Sequence, residues 1–78
     1  MTVVCKVELG LLKHSIMAIG EEGNILQQEQ VNYVDISETA VRMAHAHGAE
    51  AIYITGNPFF KEELVQEISR LDSIITII

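Results

Sequence analysis

Several residue types are scarce in this chain of 78 residues, which has one cysteine, one proline, no tryptophan and only 5% aromatic residues. The single cysteine, Cys5, cannot form an internal disulfide. It lies among alternating valines, where a free cysteine behaves as a small apolar residue. We therefore interpret Cys5 as a core residue and not as a nucleophile.

Positive charge is also scarce, with five Lys and Arg residues against 11 Asp and Glu residues and a net charge of -6. Phosphate binding relies on clustered Lys and Arg side chains, so this balance predicts no direct contact with nucleic acid, and it equally disfavours a membrane surface. No stretch approaches the roughly 18 apolar residues of a membrane-spanning helix, and the N-terminus lacks a signal-peptide pattern. We expect a cytoplasmic protein.

Hydrophobic residues are abundant, at 49% of the chain, while only 21% of the residues are charged. The length predicts a single domain over residues 1–78, a size at which one core gives only a few kcal/mol of net stability. A chain this apolar and this small is expected to bury surface against another molecule. This favours a homo-oligomer or a subunit that docks on a larger protein.

The first strand of the predicted fold, Val3 to Gly10, organises the rest of the chain. Its side chains alternate between an apolar face and a mixed face, as in a strand of a sheet with one buried side. A second strand, Lys13 to Ile19, follows a short turn. Gly20 to Asn24 (GEEGN) is a strong hairpin signal, and the polar third strand, Ile25 to Tyr33, is typical of a sheet edge.

The pattern then changes to a helical period. Asp35 precedes Glu38 by three residues, which predicts a capping box with Asp in place of Ser or Thr. The helix is expected to end at Gly48. Its apolar stripe consists of Ile36, Ala40, Met43, Ala44 and His47.

A second strand and helix unit occupies the last third of the chain. Ala51 to Thr55 is a short apolar strand, after which Asn57 is expected to cap a helix with Pro58 at its first position. Ile74 to Ile78 forms a final strand. The helix carries an apolar stripe of Phe60, Leu64, Ile68 and Leu71.

These elements predict an α/β fold with the order β-β-β-α-β-α-β. Right-handed crossovers place the fourth strand beside the first and the fifth beyond it, so the mixed five-stranded sheet has the order 3-2-1-4-5 with only the second strand antiparallel. Both helices then lie on one face, and the other face is uncovered. We expect this face and the edge strand to form an interface that contains Val4, Lys6, Tyr53, Phe59, Ile75 and Ile77.

Two segments carry a resemblance to a known fold: VVCKVELGLLKHSIMAIGEEGNIL, residues 3–26, and AEAIYITGNPFFKEELVQEI, residues 49–68. The order of elements resembles the ribonuclease H-like fold of ribonuclease H, resolvase-type nucleases and the sugar kinase, Hsp70 and actin ATPase superfamily. The first segment looks like the first hairpin of those ATPases, where a strand ends in Asp-x-Gly. The second is similar to their later strand, glycine turn and helix.

The resemblance implies a ligand site whose positions in this chain are Glu8, Gly10, Glu38 and Asn57. In the ATPases the Asp of Asp-x-Gly organises a metal ion and the loop donates amides to phosphate. Here Glu8 replaces that Asp, the loop contains Leu11 and Leu12 in place of small or hydroxylic residues, and we find no second lobe. Nuclease chemistry in this fold needs several carboxylates around two metal ions, and few acids stand at the expected positions.

Two histidines near the end of the first helix, His45 and His47, form an H-x-H pair. On a helix their side chains point about 200° apart, so we do not expect them to share a metal ion. They suit the C-terminal end of the helix dipole instead. The sequence therefore predicts no metal site and no cofactor.

The favoured interpretation is a non-enzymatic protein that acts by protein association, as a homodimer or as an adaptor or inhibitor docked through its uncovered sheet face. Its acidic balance suits a basic protein partner, and a small phage or mobile-element protein fits this description. The alternative is a metal-dependent nuclease or a nucleotide-binding half-domain with a degenerate acidic site.

Overall fold

A computed structural model describes residues 2–56 and 58–78, which form a mixed sheet and two α-helices. Short 3-10 turns at Tyr33–Asp35 and Pro58–Phe60 precede the two helices. In chain order the elements are β1 (Val4–Leu9), β2 (His14–Ile19), β3 (Ile25–Val31), α1 (Ile36–His47), β4 (Ala51–Gly56), α2 (Lys61–Leu71) and β5 (Thr76–Ile77).

The sheet has the strand order β3-β2-β1-β4-β5, which confirms the order predicted from the handedness of the crossovers. β1 is the central strand. It pairs antiparallel with β2 and parallel with β4, and β5 extends the sheet in parallel beyond β4. Consequently the carboxyl ends of β1 and β4 lie at the same edge of the sheet.

The core lies between the sheet and the two helices. Alternate side chains of β1 are fully buried, as the pattern of its sequence predicts, and Cys5 is a core residue. Both helices contribute to one hydrophobic cluster, so both cover the same face of the sheet. The cluster consists of Cys5, Val7, Leu9, Ile16, Ala18, Ile36, Ala40, Met43, Ala44, Ile52, Ile54, Leu64 and Ile68.

The start of α1 differs from the prediction. Asp35 makes no side-chain capping hydrogen bond, and it ends a 3-10 turn that begins at Tyr33. The turn leads the chain directly into the helix with helical backbone angles, so the extended backbone that a capping side chain requires is absent. The predicted stop is confirmed, since the N–H of Gly48 bonds to carbonyl groups of the last turn. Asn57, the predicted cap of α2, lies outside the described residues.

No helix of the described residues covers the second face of the sheet. Its residues include Val4, Lys6 and Glu8 of β1, and Lys6 pairs with Tyr53 and Glu8 with Thr55 of β4. Tyr53 is 39% exposed and Glu8 is exposed. We call this surface the open face.

The last strand is shorter than predicted, because only Thr76–Ile77 pair with β4 in the ladder. Ile75 and Ile77 do not belong to the open face, since both pack against the core cluster on the helix side. Ile77 lies opposite the fully buried Ile52, which explains this placement. A short edge strand also limits unwanted pairing with another chain.

Candidate functional site

The carboxyl ends of β1 and β4 form the candidate site. Glu8 pairs with Thr55, and Leu9 pairs with Gly56, at the last positions of the parallel ladder. Gly56 has a φ of 98°, and a Cβ atom there would lie 2.2 Å from the carbonyl oxygen of Leu9. The two strands therefore end in a close backbone approach that only glycine permits. Ligands of open α/β sheets bind at this kind of edge.

Glu8 presents a carboxylate at this edge. It lies on the open face, its side chain is 47% exposed, and its Oε1 atom is 3.2 Å from Nζ of Lys6. The ion pair joins two residues of the same strand face, which follows from their spacing of two. Exposed pairs of this kind contribute little stability, so Glu8 can exchange Lys6 for another cation at small cost.

The β1–β2 loop, residues 10–13, stands at the same edge. The N–H of Gly10 donates a hydrogen bond to Nδ1 of His14 over 3.1 Å. A Cβ atom on Gly10 would lie 2.3 Å from the carbonyl oxygen of Lys13, so the two ends of the loop are closely packed. Leu11 and Leu12 form the tip and are 93% and 90% exposed.

An aromatic cluster supports this loop from the helix side. His14 is only 5% exposed and meets Tyr33 edge-on, with ring centroids 6.2 Å apart. Tyr33 also contacts Phe60 at 5.0 Å and donates its hydroxyl hydrogen bond to Glu63 over 2.9 Å. Burial and the hydrogen bond to Glu63 raise the pKa of Tyr33. Sequence reasoning missed His14, although its phase with Ile16 on β2 marks it as a residue of the helix-side face.

Glu38 does not join Glu8. It lies on α1 in the helix layer, where it lines a groove with Ser37, Glu67 and Arg70, and Ser37 donates a hydrogen bond of 2.7 Å to Glu67. Asn57 falls outside the described residues. Within residues 2–56 and 58–78, no group of three or more His, Cys, Asp or Glu side chains is arranged to hold a metal ion. Of the four predicted ligand positions, the structure brings together Glu8 and Gly10.

The two histidines of α1 have different side-chain partners. Nε2 of His45 lies 2.6 Å from Oδ2 of Asp72, and Nε2 of His47 lies 2.7 Å from Oε1 of Gln27. Both rings therefore tie α1 to neighbouring elements.

Among the residues predicted to form an interface, Val4, Lys6 and Tyr53 lie on the open face. Phe59 is 86% exposed and follows the carboxyl end of β4. Whether these residues contact another protein stays a prediction, as do the homodimer and the phage origin.

Cations flank the edge despite the net negative charge. Lys13 ends the β1–β2 loop and Lys61 begins α2, which follows the carboxyl end of β4. Both are exposed, and neither forms an ion pair within the described part of the chain. Arg42, by contrast, lies 3.5 Å from Glu29. The first turn of α2 also carries the exposed acids Glu62 and Glu63, so the two cations stand beside acids at this edge.

Comparison with solved structures identifies the fold. The crystal structure of a fowlpox virus resolvase in complex with its Holliday junction DNA substrate aligns with a TM-score of 0.60 and 10% identity, over 99% of this chain and 58% of the resolvase chain. T. thermophilus RuvC in complex with a Holliday junction substrate aligns with a TM-score of 0.58 and 16% identity, over 88% of this chain and 52% of RuvC. The fold is ribonuclease H-like. No protein-family model and no curated protein sequence matches the chain.

The chain spans little more than half the length of these two resolvase chains. Their likeness supports the ribonuclease H-like part of the resemblance, and it does not support the link to the sugar kinase, Hsp70 and actin ATPases.

The comparisons also correct the favoured interpretation of the sequence. A non-enzymatic protein without direct contact to nucleic acid was expected, but the similar structures are Holliday junction resolvases bound to DNA. Against this finding the expectation was wrong. Its part on nucleic acid rested on the net charge of the whole chain, which does not show where individual cations such as Lys13 and Lys61 lie.

Regarding membranes, none of the helices in the described residues is long and apolar enough to span a bilayer.

Proposed function

We propose that this protein is a ribonuclease H-like nuclease that acts on DNA, with Glu8 as its β1 carboxylate. The observation that carries the proposal is the placement of Glu8. It is an exposed carboxylate at the carboxyl end of the central strand, beside the carboxyl end of β4, in a fold shared with junction resolvases. Branched DNA is the substrate class that the similar structures suggest.

The metal requirement of such a nuclease is met only in part by the described residues. Two-metal hydrolysis needs several carboxylates around ions a few ångströms apart. Glu8 is the carboxylate at the end of β1, its Oε1 atom is 3.2 Å from Nζ of Lys6, and no group of three possible ligands is found among the described residues. These residues therefore do not fit a complete metal centre. We assign Glu8 as one ligand position and derive no chemical step from it.

Two exposed cations support the proposed binding of DNA at this edge. Lys13 and Lys61 flank the edge from the β1–β2 loop and from the start of α2, and both are exposed. Each phosphate neutralised by such a cation adds about -0.9 to the slope of log affinity against log salt for duplex DNA. With two such contacts the slope is expected to be about -2, so the affinity falls with salt but less steeply than for a strongly basic protein.

The test is cleavage of a labelled four-way DNA junction in the presence of magnesium or manganese, with a duplex of the same sequence alongside. We expect the wild-type protein to cleave the junction and Glu8→Gln to lose activity by about 100-fold or more, because an amide replaces the carboxylate at the assigned ligand position. Glu21→Gln is the matched control, since Glu21 is an exposed acid in the β2–β3 turn at the opposite edge. It is expected to cleave at the wild-type rate.

Two results would contradict the proposal. One is a wild-type protein that neither binds nor cleaves the junction or the duplex at low salt. The other is a Glu8→Gln variant that cleaves as fast as the wild type, because a ligand of the reacting centre cannot be replaced by an amide without loss.

A further inference from the structure

The tip of the β1–β2 loop presents two leucines to solvent. Leu11 is 93% exposed and Leu12 is 90% exposed, and they are adjacent in the chain. Single exposed apolar residues are common on protein surfaces. Two adjacent large apolar side chains that are both almost completely exposed are less common, and they form an apolar projection. This projection makes no contribution to the core cluster.

The loop that carries the leucines is braced at its base. Gly10 donates its backbone hydrogen bond to the buried ring of His14, and the backbone of Lys13 lies against Gly10. His14 is held in turn by Tyr33. A short, braced loop keeps its side chains in place, so inserting them into a partner costs less conformational entropy than ordering a flexible segment does.

The position of the tip points to its partner. It begins three residues after Glu8, and it is followed directly by Lys13, an exposed cation that forms no ion pair with a described residue. Apolar side chains next to a cation suit DNA whose bases are locally unstacked. The cation can pair with a phosphate of the backbone, and the exposed base faces can contact the apolar side chains.

We propose that Leu11 and Leu12 form an apolar wedge. It enters the base stack of bound DNA next to the DNA strand that binds at Glu8. This inference rests on the proposed function of the same edge. Proteins that bend or open DNA insert leucine and similar residues between base steps, which unstacks the bases locally. Branched DNA suits such a wedge, since its bases at the branch point are easier to unstack than those of a continuous duplex.

The experiment uses a four-way junction with 2-aminopurine at the branch point, whose fluorescence rises when the base leaves the stack. Saturating wild-type protein is expected to raise the fluorescence by several-fold. The double variant Leu11→Ser with Leu12→Ser is expected to bind the junction without this rise, whereas the double variant with Met at both positions retains it. Ile74→Ser is the matched control, since Ile74 is 91% exposed at the opposite edge of the sheet. Its thermal unfolding and that of the serine variant confirm that both fold.

The outcomes separate the wedge from the proposed function. A wild-type protein that binds the junction with no rise in fluorescence, or a serine variant that keeps the full rise, overturns the wedge and leaves the nuclease assignment intact. A rise that is present in wild type and in Glu8→Gln but absent in the serine variant supports the wedge even where cleavage is lost. A wild-type protein that binds no DNA removes both proposals.

Discussion

The backbone N–H of Gly10 and the Nδ1 atom of His14 lie 3.1 Å apart and form the hydrogen bond that closes the loop beside Glu8. Since Nδ1 accepts this bond, the proton of the neutral ring is on Nε2. The contact joins the end of β1 to the start of β2, so it couples the candidate site to the aromatic cluster of His14, Tyr33 and Phe60.

We expect His14→Ala to destabilise the protein by about 2 to 3 kcal/mol. The change leaves the Gly10 N–H without its partner and removes a ring that is 5% exposed, and both effects are unfavourable. Urea unfolding followed by circular dichroism measures the effect. Lys13→Ala, at the neighbouring exposed position, is the control and is expected to change the free energy of unfolding by less than about 0.5 kcal/mol. Equal effects of the two changes would refute the bracing role of His14.

Gly56→Ala is expected to cost about 3 kcal/mol or more. The backbone at Gly56 has a φ of 98°, and an added methyl group would collide with the backbone of Leu9 at the end of β1. Gly23→Ala separates strain from collision, because Gly23 has a φ of 84° with open space around it. We expect this control to cost about 1 kcal/mol. If thermal unfolding gave the same loss for both variants, the close approach of β1 and β4 would be wrong.

The thiol of Cys5 is expected to be protected in the folded protein. Burial raises its pKa to about 11, and its side chain is fully enclosed in the core. Because the thiolate is the reactive form, alkylation by iodoacetamide at about pH 8 should be at least 100-fold slower in buffer than in denaturant. Mass spectrometry follows the reaction. Rapid labelling of the native protein would contradict the placement of Cys5 in the core.

Asp72 is expected to make stability depend on pH in the acid range. Its hydrogen bond with His45, and that from the N–H of Ile74, lower its pKa below the usual value of an aspartate. A carboxyl group whose pKa is lower in the folded state stabilises the fold above its unfolded pKa, and this contribution is lost as the pH falls through the folded pKa. We expect Asp72→Asn to be less stable than wild type at about pH 6 and to approach it at about pH 2. A difference that stays constant over this range would exclude the linkage.

Much of the fold could be predicted from local pattern. The alternation of β1 identified Cys5 and Val7 as core residues, and the handedness of two crossovers gave both the strand order and the side of the sheet that the helices cover. These features follow from the period of the side chains and from topology, which the sequence displays directly. The last strand was predicted too long, because Ile75 packs against the core although it lies outside the ladder.

The candidate site was harder to predict because it depends on contacts between distant residues. Glu8 was identified from its place at the end of a strand, but the partner of His14 depends on the closure of the β1–β2 loop. The prediction of no direct contact with nucleic acid was wrong for a related reason. A sum of charges does not show that Lys13 and Lys61 lie beside the carboxyl ends of β1 and β4.

The most direct test of the account is the affinity for four-way junction DNA with and without divalent metal, measured for wild type, Glu8→Gln and the control Glu21→Gln. In EDTA, Glu8→Gln is expected to bind about two- to five-fold more tightly than wild type, because it removes a negative charge from a phosphate-binding edge. With magnesium or manganese, wild type and Glu21→Gln should gain affinity while Glu8→Gln does not, which reverses the order. If all three proteins bind equally and respond equally to the metal, Glu8 does not lie in a DNA site and the central claim is wrong.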